Sequence, residues 1–291
     1  MKVNFQILIG MRAKARGIVM RKFFKIYWPF ALNYIKSNFV YKGRFYLFIL
    51  RKFLGMFIYY YLWMAIYASS ASDQLGGFTR SEMILYVFMS YTISDMVMVG
   101  ISSEIGSDVI DGNVAMSLIK PINYRMRLVF QALGIMLYRA VVPSLFIWIG
   151  LEIYKAAYLG MAVSNPLTIV ATLCSILFSF FIFIFFDYCF GMLAFVTTYI
   201  FGMNIIKNAV LNFLTGKLMP ISFFPEILQK VFAFLPFSAI TYVPVMIYLG
   251  KYSGLQVLFQ LGKQVLWVGI LYVLGSFLWK KVEKRIVILG G

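Results

Sequence analysis

The chain has 291 residues, of which 62% are hydrophobic, 19% aromatic and 13% charged, with a mean hydropathy of +0.86 and a formal net charge of +17. A soluble domain carries about 45–50% apolar and about 25% charged residues. One core in water therefore cannot hide this much apolar surface, and lipid is the expected solvent for much of it. The sequence holds no histidine, which excludes Ser-His and Cys-His dyads and His-ligated metals.

Residues 1–44 are basic and aromatic. Arg12, Lys14, Arg16, Arg21, Lys22, Lys25, Lys36, Lys42 and Arg44 alternate with aromatic residues. Phe23, Tyr27, Phe30 and Tyr34 step by three or four and share a helical face. Such a segment is expected to lie in the membrane interface. Six spans are expected next, at about 45–70, 83–101, 128–151, 166–198, 203–220 and 262–279, each near the ~20 residues that cross ~30 Å of hydrocarbon. Cys174 and Cys189 share the fourth span, without disulfide or zinc spacing, and read as packing residues. Residues 221–244, with Pro225, Pro236 and Pro244 as breaks after Pro220, are apolar but too short between prolines to cross. They suggest re-entrant or interfacial helices. A basic tail, 280–291, closes the chain.

Lys and Arg collect at both ends of the chain, which places both termini in the cytoplasm and requires an even number of spans. This grouping is that of a membrane protein, and no nucleic-acid partner is expected. The segment 102–127 then faces the cytoplasm. Glu104, Asp108 and Asp111 form an acidic rim, Gly112 allows a turn, and Asn113 can cap a short helix holding Val114, Ala115, Met116, Leu118 and Ile119. Pro121 ends that helix. Arg125 and Arg127 are expected at the headgroups. A two-turn helix is a poor independent structure. It reads as a peg for another protein's groove or as a loop folded onto its own bundle, and the pattern leaves both open.

The stretch from Ser102 to Arg127 resembles the first cytoplasmic loop of the ABC-2 type permeases, through Ile110, Gly112, Val114, Ala115, Leu118, Ile119, Pro121, Ile122 and Asn123. Further likenesses follow in order: YKGRFYLF (41–48), GMLAFVTTYIFG (191–202), LMPISFFPEILQKVFAFLPF (218–237), VPVMIYLG (243–250) and a basic end. The resemblance covers nearly the whole chain. It implies an all-α membrane protein with an N-terminal interfacial helix and an outer Pro-rich hairpin. It also implies a cytoplasmic coupling helix over 103–123, docked on a separate ATPase through Glu104, Asp108, Asp111, Gly112, Val114, Met116, Leu118, Ile119 and Pro121. The family's usual work is export from the cytoplasm or inner leaflet, in a bacterial cytoplasmic membrane, with a second permease copy or a sister permease.

The energy source is expected to lie elsewhere. A P-loop needs Gly-x-x-x-x-Gly-Lys-Ser/Thr. The nearest match, Gly216-Lys217, has Leu211 five positions before the glycine and Leu218 after the lysine. No catalytic residue, cofactor or metal is therefore expected in this chain, with ATP and Mg²⁺ on the partner. An ion-coupled secondary transporter or channel is the alternative. Three charges fall within spans. Asp95 lies about 10 Å from the inner end of its span, and Arg139 and Asp187 about 16 Å from theirs. These depths permit an Asp95–Arg139 or an Arg139–Asp187 pair, either as a structural lock or as part of a substrate or proton path. Lys207 and Lys217 are expected to snorkel outward. The aromatic and Met content of the spans suits a hydrophobic or amphipathic cargo.

Overall fold

The structure, a computed structural model, describes residues 23–37, 42–197 and 199–289. The rest of the basic segment expected over 1–44 lies outside them. Residues 23–37 form helix α1, and the long helix α2 follows at Lys42–Ser69. A two-residue antiparallel hairpin comes next, with β1 at Gln74–Leu75 and β2 at Phe78–Thr79. Gly76 and Gly77 take φ of 56° and 81° between the strands, as a tight hairpin turn demands.

Helix α3, Arg80–Val97, starts on a capping box. Thr79 accepts from the Glu82 N–H, and Glu82 reaches back to the Thr79 N–H. After a break come α4, Ser102–Ile110, and α5, Asn113–Ile119. Helix α6, Tyr124–Arg139, is capped by Asn123, whose side chain accepts from the Met126 N–H. The expected third span is not one straight helix. A turn over Ala140–Ser144 separates α6 from α7, Leu145–Tyr158. Pro143 disfavours helical geometry in the residue before it, and Val142 is indeed extended, with φ −114° and ψ 115°.

Helix α8, Pro166–Gly191, has Asn165 as its cap and Pro166 at its first position. The short α9 follows at Ala194–Thr197. Helix α10, Phe201–Leu214, is 14 residues long, about 21 Å, where a span over 203–220 was expected. It stops because Gly216 has φ +77° and the Thr215 carbonyl turns to accept from the Tyr242 N–H. Among the described residues, five helical segments are therefore long and apolar enough to cross a membrane: Tyr46–Ser69, Arg80–Ile110, Tyr124–Tyr158, Pro166–Thr197 and Leu255–Lys284.

The Pro-rich stretch splits into two unlike pieces. Helix α11, Glu226–Phe234, has no buried residue, whereas α12, Tyr242–Tyr248, is buried from Val243 onward. Helix α13, Leu255–Leu289, outruns the expected 262–279 at both ends, so residues 280–289 continue a helix instead of forming a separate tail.

Helix α8 is the centre of the bundle, packed by α13, α12, α3 and α4. Phe180 and Phe183 are fully buried on it, with Ile182 and Ile184. Two ends can be told apart by side-chain contacts. At the hairpin end, Tyr86 donates to the Gly216 carbonyl and Ser222 Oγ to the Gly76 carbonyl. Lys251 pairs there with Glu82 at 2.6 Å. At the α4–α5 end, Tyr124 stacks on Trp279, with centroids 5.3 Å apart. Helix α1 crosses α6 there: Tyr27 stacks on Phe130 at 5.6 Å and its hydroxyl accepts from the Asn123 N–H.

Candidate functional site

The α4–α5 end carries the segment singled out by sequence. Asp111 closes α4, and Gly112, at φ +70°, turns the chain into α5. Gly112 itself is the cap position. Asn113 is the first helical residue, and its carbonyl accepts from Ser117 Oγ instead of its side chain capping the helix. Lys120 is extended ahead of Pro121, where α5 ends. The apolar residues divide. Val114 is 4% exposed, while Ile110, Met116 and Ile119 are 59%, 61% and 80% exposed. The side chain of Leu118 lies outside the described set. The segment thus folds back through Val114 and presents Ile110, Met116 and Ile119 outward.

The acidic rim is largely turned inward. Asp108 accepts from Arg127 at 2.6 Å and from the Tyr124 hydroxyl at 2.8 Å. Glu104 accepts from Gln131 at 2.7 Å, with Arg127 3.8 Å away. Asp111 alone of the three is exposed. The arginines expected at the headgroups are engaged within the protein. Arg127 braces α4 against α6, and Arg125 donates to Ser276 Oγ at 2.7 Å and lies 4.1 Å from the Tyr272 ring centroid.

Behind α4 is a buried charge network. Asp187 is fully buried. Its Oδ2 accepts from the N–H groups of Ile101 and Ser102 at 2.6 and 2.7 Å, the first donors of α4. Lys207 of α10 pairs with Oδ1. Lys207 Nζ also donates to Ser102 Oγ and Asn204 Oδ1, each at 2.8 Å. A carboxylate at a helix N-terminus meets both orphan donors and a favourable dipole. Asp187 therefore welds the start of α4 to α8 and, through Lys207, to α10. Lys207 does not snorkel: it is 7% exposed.

Asp95 and Arg139 meet, though not as an ion pair. Arg139 donates to the Asp95 backbone carbonyl at 2.6 Å. The Asp95 carboxylate faces Lys52 of α2 at 3.3 Å, and Lys52 also donates to Ser144 Oγ at 2.9 Å. The sequence reading missed both lysine partners. A signal for Lys207 existed, since Asn204 and Lys207 are three apart on one face of an apolar helix. Lys52 sits at the edge of the charge-free run that starts at Phe53, where a lysine needs no buried partner. Another buried polar link had no sequence signal: Gln264 of α13 donates to the Ala239 carbonyl and Ser179 Oγ and accepts from Ser175 Oγ.

Among the described residues no cluster of three or more Cys, Asp or Glu could hold a metal. The profile of the family described as ABC-2 family transporter protein matches residues 53–290. No curated protein matches the chain.

Proposed function

The chain belongs to the ABC-2 transporter family and is a permease subunit of an ABC transporter, and we propose that it works as an exporter driven by a separate P-loop ATPase. The observation that carries this reading is the α4–α5 segment. It offers Ile110, Met116 and Ile119 outward at the end of the bundle, and its first turn is fastened to α8 and α10 through Asp187 and Lys207. A partner that pushes on α5 would thereby move helices that cross the membrane. ATP and Mg²⁺ belong to that partner, and this chain contributes no catalytic group. The cargo is hydrophobic or amphipathic and leaves the cytoplasm or inner leaflet of a bacterial cell.

On this reading α4–α5 and both termini lie in the cytoplasm, in line with the basic residues at both ends. Six crossings then include α10. Asn204 stands opposite Ser102 and Gly216 opposite Tyr86, so α10 runs antiparallel to the α3–α4 stretch between those levels. Residues 215–220 complete the passage. The apolar outer faces of α2 and α13, with residues such as Ile58, Leu266 and Phe277 exposed, meet lipid and a second permease copy or sister permease.

The test uses affinity-tagged protein purified from its native host in mild detergent. Wild type is expected to bring down a P-loop ATPase. The double variant Met116→Asp/Ile119→Asp is expected to lose at least ~10-fold of it while its melting temperature stays put, because exposed substitutions shift stability by about 0.5 kcal/mol or less. Val114→Asp, which buries a charge, is expected to destabilise the permease itself. Retention of the ATPase by the double variant would rule out α5 as the docking element. Wild type that purifies without any ATPase would shift the reading to ion-coupled transport.

A further inference from the structure

Positive charge outnumbers negative where α2, α3 and the α6–α7 turn meet. Asp95 is the carboxylate there; its Oδ2 is buried without a hydrogen bond and has only the ion pair with Lys52. Arg139 occupies the Asp95 carbonyl. Two more cations stand on the other flank. Lys217, delivered by the chain after α10, has its Nζ 5.0 Å from the Tyr91 ring centroid, one turn along α3 from Asp95. Arg51, exposed and next to Lys52 on α2, lies within electrostatic reach of Tyr91 and Lys217, as Asp95 does. Neither Arg51 nor Lys217 forms an ion pair with a carboxylate among the described residues. One carboxylate, Asp95, thus stands among four cations, on segments that cross lipid, where uncompensated charge is costly.

An apolar groove of about 350 Å³ starts beside this cluster. Met56 is one turn beyond Lys52 on α2, and Ile147 one turn beyond Ser144 on α7; both line the groove with Phe53, Phe88 and Leu151. The face of α3 that carries Asp95 and Tyr91 continues through Phe88 to Ile84 inside it. Charge at one end and an apolar channel at the other is the complement of an amphiphile.

We propose that the transported substrate is an amphiphile with an anionic head, such as a phosphate, sulfate or carboxylate, bound with its head among Lys52, Arg139, Arg51 and Lys217 and its tail along the groove. This rests on the permease reading. A cargo suits the position better than a resident lipid, because Asp95 stands in the last turn of α3, directly ahead of the break that leads into α4.

The probe is dodecyl phosphate bearing a diazirine near the tail end, with the full-length protein and its co-purified ATPase in phosphatidylcholine nanodiscs. Cross-links are expected on peptides containing Phe53–Met56 and Ile147–Leu151. Arg51→Gln and Lys217→Gln, which leave the Lys52–Asp95 pair intact, are each expected to raise the half-saturating concentration ~10-fold, the scale of one hydrogen bond to a charged group. The matched dodecyl trimethylammonium probe is expected to label the groove poorly, and inorganic phosphate to compete poorly. ATP and Mg²⁺ are expected to discharge the bound probe. Equal labelling by the cationic probe, or no change in the two variants, would overturn the anionic head. Full competition by inorganic phosphate would overturn the amphiphile. Retention of the probe through ATP turnover would make it a resident lipid and overturn the substrate assignment. Absence of an ATPase from the preparation would sink the permease reading instead, and the binding comparisons would still run on the permease alone.

Discussion

A carboxylate buried at the start of a nine-residue helix needs donors on every side, and Asp187 finds them in two backbone N–H groups, the Ser102 hydroxyl and the Lys207 ammonium. Removing one partner of such a buried pair strands the other charge, at a cost of about 3–5 kcal/mol. Lys207→Met is therefore expected to lower the melting temperature strongly in detergent. Asp187→Asn added to it removes the stranded charge and keeps an oxygen for the α4 N–H groups, so the double variant should regain part of that loss. A double variant no more stable than Lys207→Met would mean that the pair contributes nothing beyond its hydrogen bonds. Asp187 was legible in the sequence as an intramembrane charge. The Asn204–Lys207 spacing marked a polar face on α10, but the pairing itself was not legible, because Lys207 sits on a separate helix and Arg139, at a similar depth, is used elsewhere.

At the scale of elements, the docking of α1 on α6 includes one close backbone approach beside the Tyr27–Phe130 stack. A Cβ built at Gly134 would meet the Ala31 carbonyl oxygen at 2.5 Å and its Cα at 2.7 Å, both backbone atoms that cannot swing aside. Gly134→Val should weaken this crossing by about 1–3 kcal/mol, the usual cost of overpacking. Trypsin should then cut faster at the exposed Lys25 and Lys36. Gly269→Val, where a Cβ meets nothing within 4 Å, is the matched control and should leave the digestion unchanged. If both variants digest like wild type, the α1–α6 contact is not what holds the helix. The aromatic face of α1 was readable from its spacing. The glycine that receives it was not, since nothing in the local pattern of α6 distinguishes Gly134 from a residue facing lipid.

For the whole molecule, the number of crossings turns on α10. Between Asp73 and Lys284 the chain crosses five times if α10 spans the bilayer and four times if it does not. Asp73→Cys and Lys284→Cys, each made with Cys174 and Cys189 replaced by Ala, would settle this through labelling with a membrane-impermeant maleimide. Asp73→Cys is expected to label in intact cells and Lys284→Cys only after permeabilisation. Labelling of both in intact cells would put them on one side and remove α10 from the count.

Composition by itself determined the membrane class, since no core in water could cover this much apolar surface, and the uncharged runs placed the long helices. Local chemistry marked the ends of α5, with Gly112 before it and Pro121 after it. Tertiary structure alone decided how short α10 is and which charges pair. The reason is physical. Hydrophobicity and capping act within a few residues, so sequence exposes them. A buried charge instead chooses its partner by three-dimensional distance, and the packing of helices far apart in the chain sets that distance.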